Sequence, residues 1–266
     1  LANVAQRNLL DFCKIPTINP YLRSEDGRKI LAAAYSSFQG GWFESSGAGI
    51  KPDCILEDLN SAYPYAQYHL ANTSEGHWVH GDEEESLWCE ERNALDMGFA
   101  EVTVQFADGM QWHPLVKTSP VGTLVGPQII SGWFTADEIV EARKWPHTEF
   151  IVGEWYRFTP TTDSKPFRPF IEKFYELKQN SDKKSVSYSV SKTQLNSIFG
   201  KTCQKVDNKT GSLWNPMYAS TITGFTRSRI AEAIRTQGFK AVSVATDGIG
   251  FERELYIQEL PKRPLP

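Results

Sequence analysis

The stretch from Phe239 to Phe251 constrains the fold more than any other. Val242 and Val244 alternate with smaller neighbours toward Thr246-Asp247-Gly248, and the chain returns as Ile249-Gly250-Phe251. An Asp-Gly pair between alternating apolar runs is a hairpin signal, so this segment reads as a β-hairpin with an aspartate at its tip. A second apolar run, Cys54-Ile55-Leu56-Glu57-Asp58-Leu59, reads as a buried strand that ends on Asp58. These two acids stand 189 positions apart. On adjacent strands of one sheet, two carboxylates could hold two Mg²⁺ ions about 3.5 to 4 Å apart, an arrangement suited to phosphoryl transfer.

Such chemistry also needs cations for a phosphate-bearing ligand, and the charge is distributed accordingly. The 266 residues carry a formal net charge of −4. Residues 1 to 150 hold 10 Lys+Arg against 21 Asp+Glu, whereas residues 151 to 266 hold 18 against 11. Between Lys165 and Lys240 there are 14 basic and 5 acidic residues, which concentrates positive charge where a polyanion could use it; a solvated helical surface is the plain alternative. The acidic run from Asp82 to Glu91 is expected to be an exposed loop.

A helix is expected from Ser185 to Phe199, ending at Gly200, and it places Lys192, Asn196 and Phe199 on one stripe. Apolar residues Phe167, Phe170, Ile171, Phe174 and Leu177 recur at helical spacing between Lys165 and Gln179. A third helix is expected from Thr221 to Gln237, closed by Gly238. Thr135 and Glu138 form a capping-box pattern opening a helix that stops at Trp145, because Pro146 follows. Residues 99 to 134 and the run from Glu149 to Phe158 read as strands, and a helix follows the turn at Tyr63-Pro64.

With 40% hydrophobic and 12% aromatic residues the chain can bury a real core. No apolar run approaches the ~18 residues that span a bilayer, and the N-terminus lacks a signal segment. No membrane partner and an intracellular location are therefore expected, the host cytoplasm if the gene is viral or plasmid-borne. Cys13, Cys54, Cys89 and Cys203 form no C-x-x-C pair, and the five histidines have no ligand spacing, so neither a disulfide framework nor a zinc cluster is indicated. Trp214 is read as core by default, with stacking on a base as the alternative. The chain starts at Leu1 and ends in the Pro-rich Leu260 to Pro266, so it reads as a piece of something longer.

Taken together the motifs resemble family B DNA polymerases. Asp58-Leu59-Asn60-Ser61-Ala62-Tyr63-Pro64 is similar to motif A, D-x-x-S-L-Y-P; Lys192 to Gly200 is similar to motif B, K-x-x-x-N-S-x-Y-G; and Ala245-Thr246-Asp247-Gly248 is similar to motif C, D-T-D-S/G. Their order is the family's. Phe38-Gln39-Gly40-Gly41 resembles the Y-x-G-G segment, and Thr223 with Arg227 resembles T-x-x-G-R. The sequence departs from these patterns at Ala245, where the first aspartate of motif C usually stands, at Ser243 in place of tyrosine, and at Thr226 in place of glycine.

The resemblance implies an α/β (α+β) polymerase palm, an antiparallel sheet with helices, plus a short helical fingers segment. It implies palm at 1–80, a continuation or insertion at 81–162, fingers at 163–205 and a second part of the palm at 206–266, with the thumb absent or truncated and no room for an exonuclease domain. The 134 residues between Asp58 and Lys192 are long enough for the insertion of protein-primed viral and plasmid enzymes. By the same resemblance Asp58 and Asp247 are the catalytic metal ligands for two Mg²⁺ ions, with Mn²⁺ as a substitute and Leu59 helping through its backbone carbonyl. Tyr63 stacks under the incoming sugar and rejects a 2′-hydroxyl. Lys192 and Asn196 meet the incoming deoxynucleoside triphosphate, and Lys178 completes its clamp or is an ordinary helix-end lysine. Gly40 and Gly41 line the template path or form a plain turn. Phe199 and Gly200 lie against the DNA, while Thr223 and Arg227 touch its backbone. The partners implied are template-primer DNA, a dNTP and, in the protein-primed branch, a terminal protein. Two rival readings remain: a degenerate palm that binds nucleic acid or assembles with partners without catalysis, and a two-metal nuclease, in which the motif B stripe has no role.

Overall fold

The computed structural model describes residues 2–47, 53–82, 97–207 and 209–252. Three helices open the chain: α1 (Ala2–Phe12), α2 (Asn19–Leu22) and α3 (Glu25–Ser36). Ser24 caps α3 by accepting the Gly27 N–H at 3.0 Å, and Glu25 and Asp26 complement the dipole of its first turn. None of these helices was expected from sequence.

Strands β1 (Phe43–Ser45) and β2 (Cys54–Asp58) follow, then α4 (Ala62–His69). Next come β3 (Gly76–Gly81), β4 (Gly98–Gln105), the small hairpin of β5 (Lys117–Thr118) and β6 (Leu124–Val125), and β7 (Ile129–Thr135). Helix α5 (Ala136–Ala142) leads to the long β8 (Glu149–Pro160). The last third comprises α6 (Arg168–Gln179), α7 (Val186–Thr202), the small hairpin of β9 (Lys205–Val206) and β10 (Lys209–Thr210), α8 (Pro216–Thr236), and the ribbon of β11 (Ala241–Ala245) and β12 (Gly248–Glu252).

Two four-stranded antiparallel sheets result, in the orders β1-β11-β12-β2 and β3-β8-β4-β7. The mixture of antiparallel sheet and helices is the α+β class expected. In the first sheet Phe43 pairs with Ala245, Ala245 with Gly248, and Gly248 with Asp58. Directly paired residues share a face, so the hairpin tip and the end of β2 lie side by side. Strand β2 was expected to be buried, yet Leu56 is 79% exposed. The reason is its place at the sheet edge: one face packs inward through Val244, Ile249 and Phe251, and the other, with Leu56 and Phe43, stays open.

Helix α8 is the axle of the molecule. It is buried along almost its whole length, from Pro216 to Ile234, and therefore shows no amphipathic stripe. It starts at Pro216, five residues before the position read from sequence. Asn215 accepts the Tyr218 N–H at 3.2 Å, and the missing N–H of Pro216 costs nothing in the first turn. Helix α7 likewise runs through Gly200 to Thr202 instead of stopping there. Its last turn is held by Thr202, whose hydroxyl donates to the Phe199 carbonyl at 2.7 Å, and by Asn215, whose N–H donates to the Thr202 carbonyl at 2.8 Å. Helix α5 ends at Ala142, with the backbone turns that follow reaching Trp145 before Pro146. The acidic run lies mostly outside the described residues.

Candidate functional site

The site is built at the end of the first sheet, where two backbone irregularities aim two acids. Thr246, the first residue of the β11–β12 turn, has φ 60°, a left-handed conformation that costs a β-branched residue about 1–2 kcal/mol. Two contacts sustain it. The Thr246 N–H donates to the Trp42 carbonyl at 2.8 Å. The side chain also lies so close to Gly41 that a Cβ there would stand 2.9 Å from Thr246 Oγ1. Across the sheet, the Leu59 N–H donates to the Asp247 carbonyl at 2.8 Å, tying the chain just beyond Asp58 to the hairpin tip. Ser61, also left-handed at φ 53°, then swings the chain into α4.

Burial and neighbouring charge act on both carboxyls. Burial pushes the Asp58 carboxyl above its ordinary range, and Lys192 pulls it down. Burial also raises Asp247, the neighbouring Asp58 raises it further, and Lys192 again opposes the shift. Lys192, exposed on α7, is thus the cation facing both acids. Asn196 lies one turn further along the same exposed stripe.

Tyr63 of α4 and Phe199 of α7 stack directly, with ring centroids 4.5 Å apart and planes 24° from parallel. Segments 58–64 and 192–200, 128 residues or more apart in sequence, are therefore in contact. The Tyr63 phenol is raised by burial and then by Asp247, while Arg227 lowers it. Lys178 donates to Ser61 Oγ at 3.1 Å, three positions past Asp58 in the chain. Gly40 and Gly200 both face open space: nothing lies within 4 Å of where a Cβ would be.

Thr223 and Arg227 depart from expectation. Both are buried, Thr223 at 2% and Arg227 at 1% exposure, so neither side chain reaches a DNA backbone from this position. The Thr223 hydroxyl is spent on the Ala219 carbonyl of its own helix at 3.2 Å. Arg227 instead ties the interior together. Its Nε donates to Glu138 Oε1 at 2.8 Å, and its Nη1 donates to the carbonyls of Gln39 and Gly40 at 2.6 and 2.9 Å. The fully buried Glu138 also accepts the Thr135 hydroxyl at 2.7 Å and the Thr135 N–H at 3.2 Å. Gln39 in turn accepts from the Thr118 N–H and hydroxyl at 3.0 and 2.6 Å. The strap of residues 39–42 that supports Thr246 is therefore itself gripped from both sides. Glu138 and Gln39 were missed as supporting residues. The capping-box spacing revealed Glu138 as a helix cap, but nothing in its neighbourhood reveals the distant arginine.

The donor set is oxygen only: two carboxylates and nearby backbone carbonyls, the chemistry that suits Mg²⁺ or Mn²⁺. A bound cation would offset both the burial of the two acids and the charge of Asp58 that raises Asp247, so these residues fit such ions. Among the described residues no group of three or more His, Cys, Asp or Glu could hold a metal, and no helix is long and apolar enough to cross a membrane.

Comparison with known proteins gives this arrangement a family. Residues 40–233 match the family model of "DNA polymerase type B, organellar and viral". The chain belongs to that family. A "Probable DNA polymerase" of Neurospora intermedia is 29% identical over 150 residues, covering 54% of this chain and 15% of that protein. The "Primer-independent DNA polymerase PolB" of Escherichia coli is 30% identical over 177 residues, covering 57% and 20% respectively. The chain thus spans a fifth or less of the length of these relatives. Among solved structures, Phi29 DNA polymerase matches 97% of this chain and 48% of its own, with TM-score 0.67 and 16% identity. Its complex "with primer-template DNA and incoming nucleotide substrates" matches 90% of this chain at TM-score 0.60 and 18% identity. The type B polymerase fold is shared across that distance.

Proposed function

We propose that this chain forms the palm and fingers of a template-directed DNA polymerase that adds deoxynucleotides to a primer 3′-hydroxyl. The observation that carries the reading is the convergence of Asp58 and Asp247 at one sheet end, with Lys192 acting on both. Asp58 and Asp247, with the Leu59 carbonyl, would hold two Mg²⁺ ions, or Mn²⁺ in their place. When bound, such ions activate the attacking oxygen and stabilise the leaving pyrophosphate.

The chain's own residues bind and orient. Lys192 and Asn196 receive the triphosphate and base of the incoming nucleotide on the exposed stripe of α7, and Lys178, fixed on Ser61, adds a second cation. Tyr63, backed by Phe199, forms a rigid floor under the sugar that leaves no room for a 2′-hydroxyl. Gly40 and Gly200, which face open space, give the template and primer backbone a close approach, while Gly41 lines that path only through its packing against Thr246. Holding both reactants in line supplies most of the acceleration, and no covalent intermediate is required. The fingers are residues 163–205. Residues 81–162 would be a palm continuation or the insertion of the protein-primed branch, whose terminal protein would offer the priming hydroxyl.

Primer extension with Mg²⁺ tests the reading: incorporation is expected, and it is expected to fall about a thousandfold in Asp58→Asn and in Asp247→Asn. Unchanged extension in either variant would overturn the site. Attachment of a deoxynucleotide to a terminal protein without an oligonucleotide primer tests the priming mode. One observation favours a second reading. Ala245 is exposed and pairs with Gly248 on the face of Asp58, so a methyl stands where the family pattern has its first acid. Tight DNA binding without incorporation, even in Mn²⁺, would identify a non-catalytic binding module.

A further inference from the structure

Tyr35, Lys205 and Trp214 take no part in the site above, yet three separate segments bring them together. Tyr35 stands at the end of α3 and is 50% exposed. Trp214 lies in the loop before α8, its ring centroid 6.2 Å from that of Tyr35 and its plane 49° away. Lys205, exposed on β9, brings its Nζ to 4.2 Å from the Tyr35 centroid and 5.7 Å from the Trp214 centroid, and donates to the Tyr35 hydroxyl at 2.7 Å. Two aromatic rings and an ammonium at the surface are the components of a single-strand nucleic-acid platform. Rings stack on any base, and a lysine pairs with the adjoining phosphate.

The location gives the cluster its ligand. Lys205 lies six residues past Phe199, the partner of Tyr63, and Tyr35 lies four residues before Gln39 and the Gly40 strap. Asn196, Gly200, Gly40 and Tyr35 are all exposed, and both glycines are open. Lys209 of β10 is a further exposed cation on the same small hairpin. A clamp needed only to fasten the β9–β10 hairpin would gain most by burying its rings. Here the tyrosine and the lysine remain in water.

We propose that Tyr35, Trp214 and Lys205 stack and hold an unpaired base of the template strand ahead of the insertion site. Lys205 leaves the Tyr35 face to pair with the phosphate as the base takes its place. This rests on the polymerase reading above and names the route of its single-stranded template.

The test uses the full chain and primer-template DNA carrying 2-aminopurine at successive positions of the unpaired 5′ template extension. Quenching is expected at one or two adjacent positions, to be lost in Trp214→Ala and kept in Trp214→Phe. Binding of DNA with the extension is expected to weaken about tenfold in Tyr35→Ala and Trp214→Ala, and that of flush-ended DNA to be unchanged. Lys205→Gln is expected to flatten the salt dependence of extension binding. Uniform quenching in wild type and Trp214→Ala, or equal losses on flush-ended DNA, would overturn the platform and leave a hairpin clamp. Failure of the wild-type chain to bind any primer-template would instead remove the polymerase reading on which the platform depends.

Discussion

The two sheets of this molecule are built to opposite ends. The β3-β8-β4-β7 sheet uses strands of up to twelve residues, and its core residues Val102, Val104, Phe134 and Trp155 are all at least 98% buried. The β1-β11-β12-β2 sheet has strands of three to five residues, and its open face carries Gly248, Gly250, Ser243 and Ala245 between the exposed Phe43 and Leu56. It also holds a left-handed threonine at its tip. One sheet stores stability. The other gives up side-chain packing to leave a smooth surface beside two acids, and borrows rigidity from the interior through the Glu138–Arg227 pair and the 39–42 strap.

Variants can break this contrast, beginning with the largest effect. Phe134→Ala, which empties a fully buried site in the long sheet, is expected to cost about 3–5 kcal/mol in urea unfolding. Extension by the remaining folded fraction should stay near wild type. Glu138→Gln leaves a buried guanidinium without its charge partner, and about 3 kcal/mol of destabilisation is expected. Because the strap loosens, this variant should also lose about tenfold in extension rate well below its unfolding midpoint, unlike Phe134→Ala. Equal behaviour of the two variants would mean that the latch has no tie to the site. Thr246→Gly removes the left-handed penalty and should be stabilised or unchanged by up to about 1 kcal/mol, with slower extension, because the packing against Gly41 is gone. Leu56→Ala, on the open face, should shift stability by less than about 0.5 kcal/mol.

How far the sequence revealed this follows from the same contrast. Period-two alternation located β4, the run from Glu149 to Phe158 was read as the strand that is β8, and the Asp-Gly turn located the β11–β12 ribbon to within two residues. The capping box gave α5 its start at Thr135. Helix α8 was read five residues late at its start because Trp214-Asn215-Pro216 resembles a turn, and a helix buried on all sides has no stripe to mark its first turn. The exposure of Leu56 was invisible, since an apolar residue on an open face reads like one in a core. Asp58, Asp247, Lys192, Tyr63 and Phe199 were legible as a group only through motif order, and the structure brings them together. Arg227 was read by resemblance as a residue touching the DNA backbone, whereas it is buried. Burial depends on partners such as Glu138, 89 positions away, which no local pattern discloses.

The account stands on Asp58 and Asp247 forming one divalent-cation site. Fe²⁺ substituted for Mg²⁺, with peroxide and ascorbate, cuts a chain only where the ion is held, so mapping the fragments measures that claim without relying on activity. Cleavage beside both Asp58 and Asp247 is predicted, lost together in either single asparagine variant. Cuts at one acid alone, or cuts at the second that persist when the first is replaced, would contradict it.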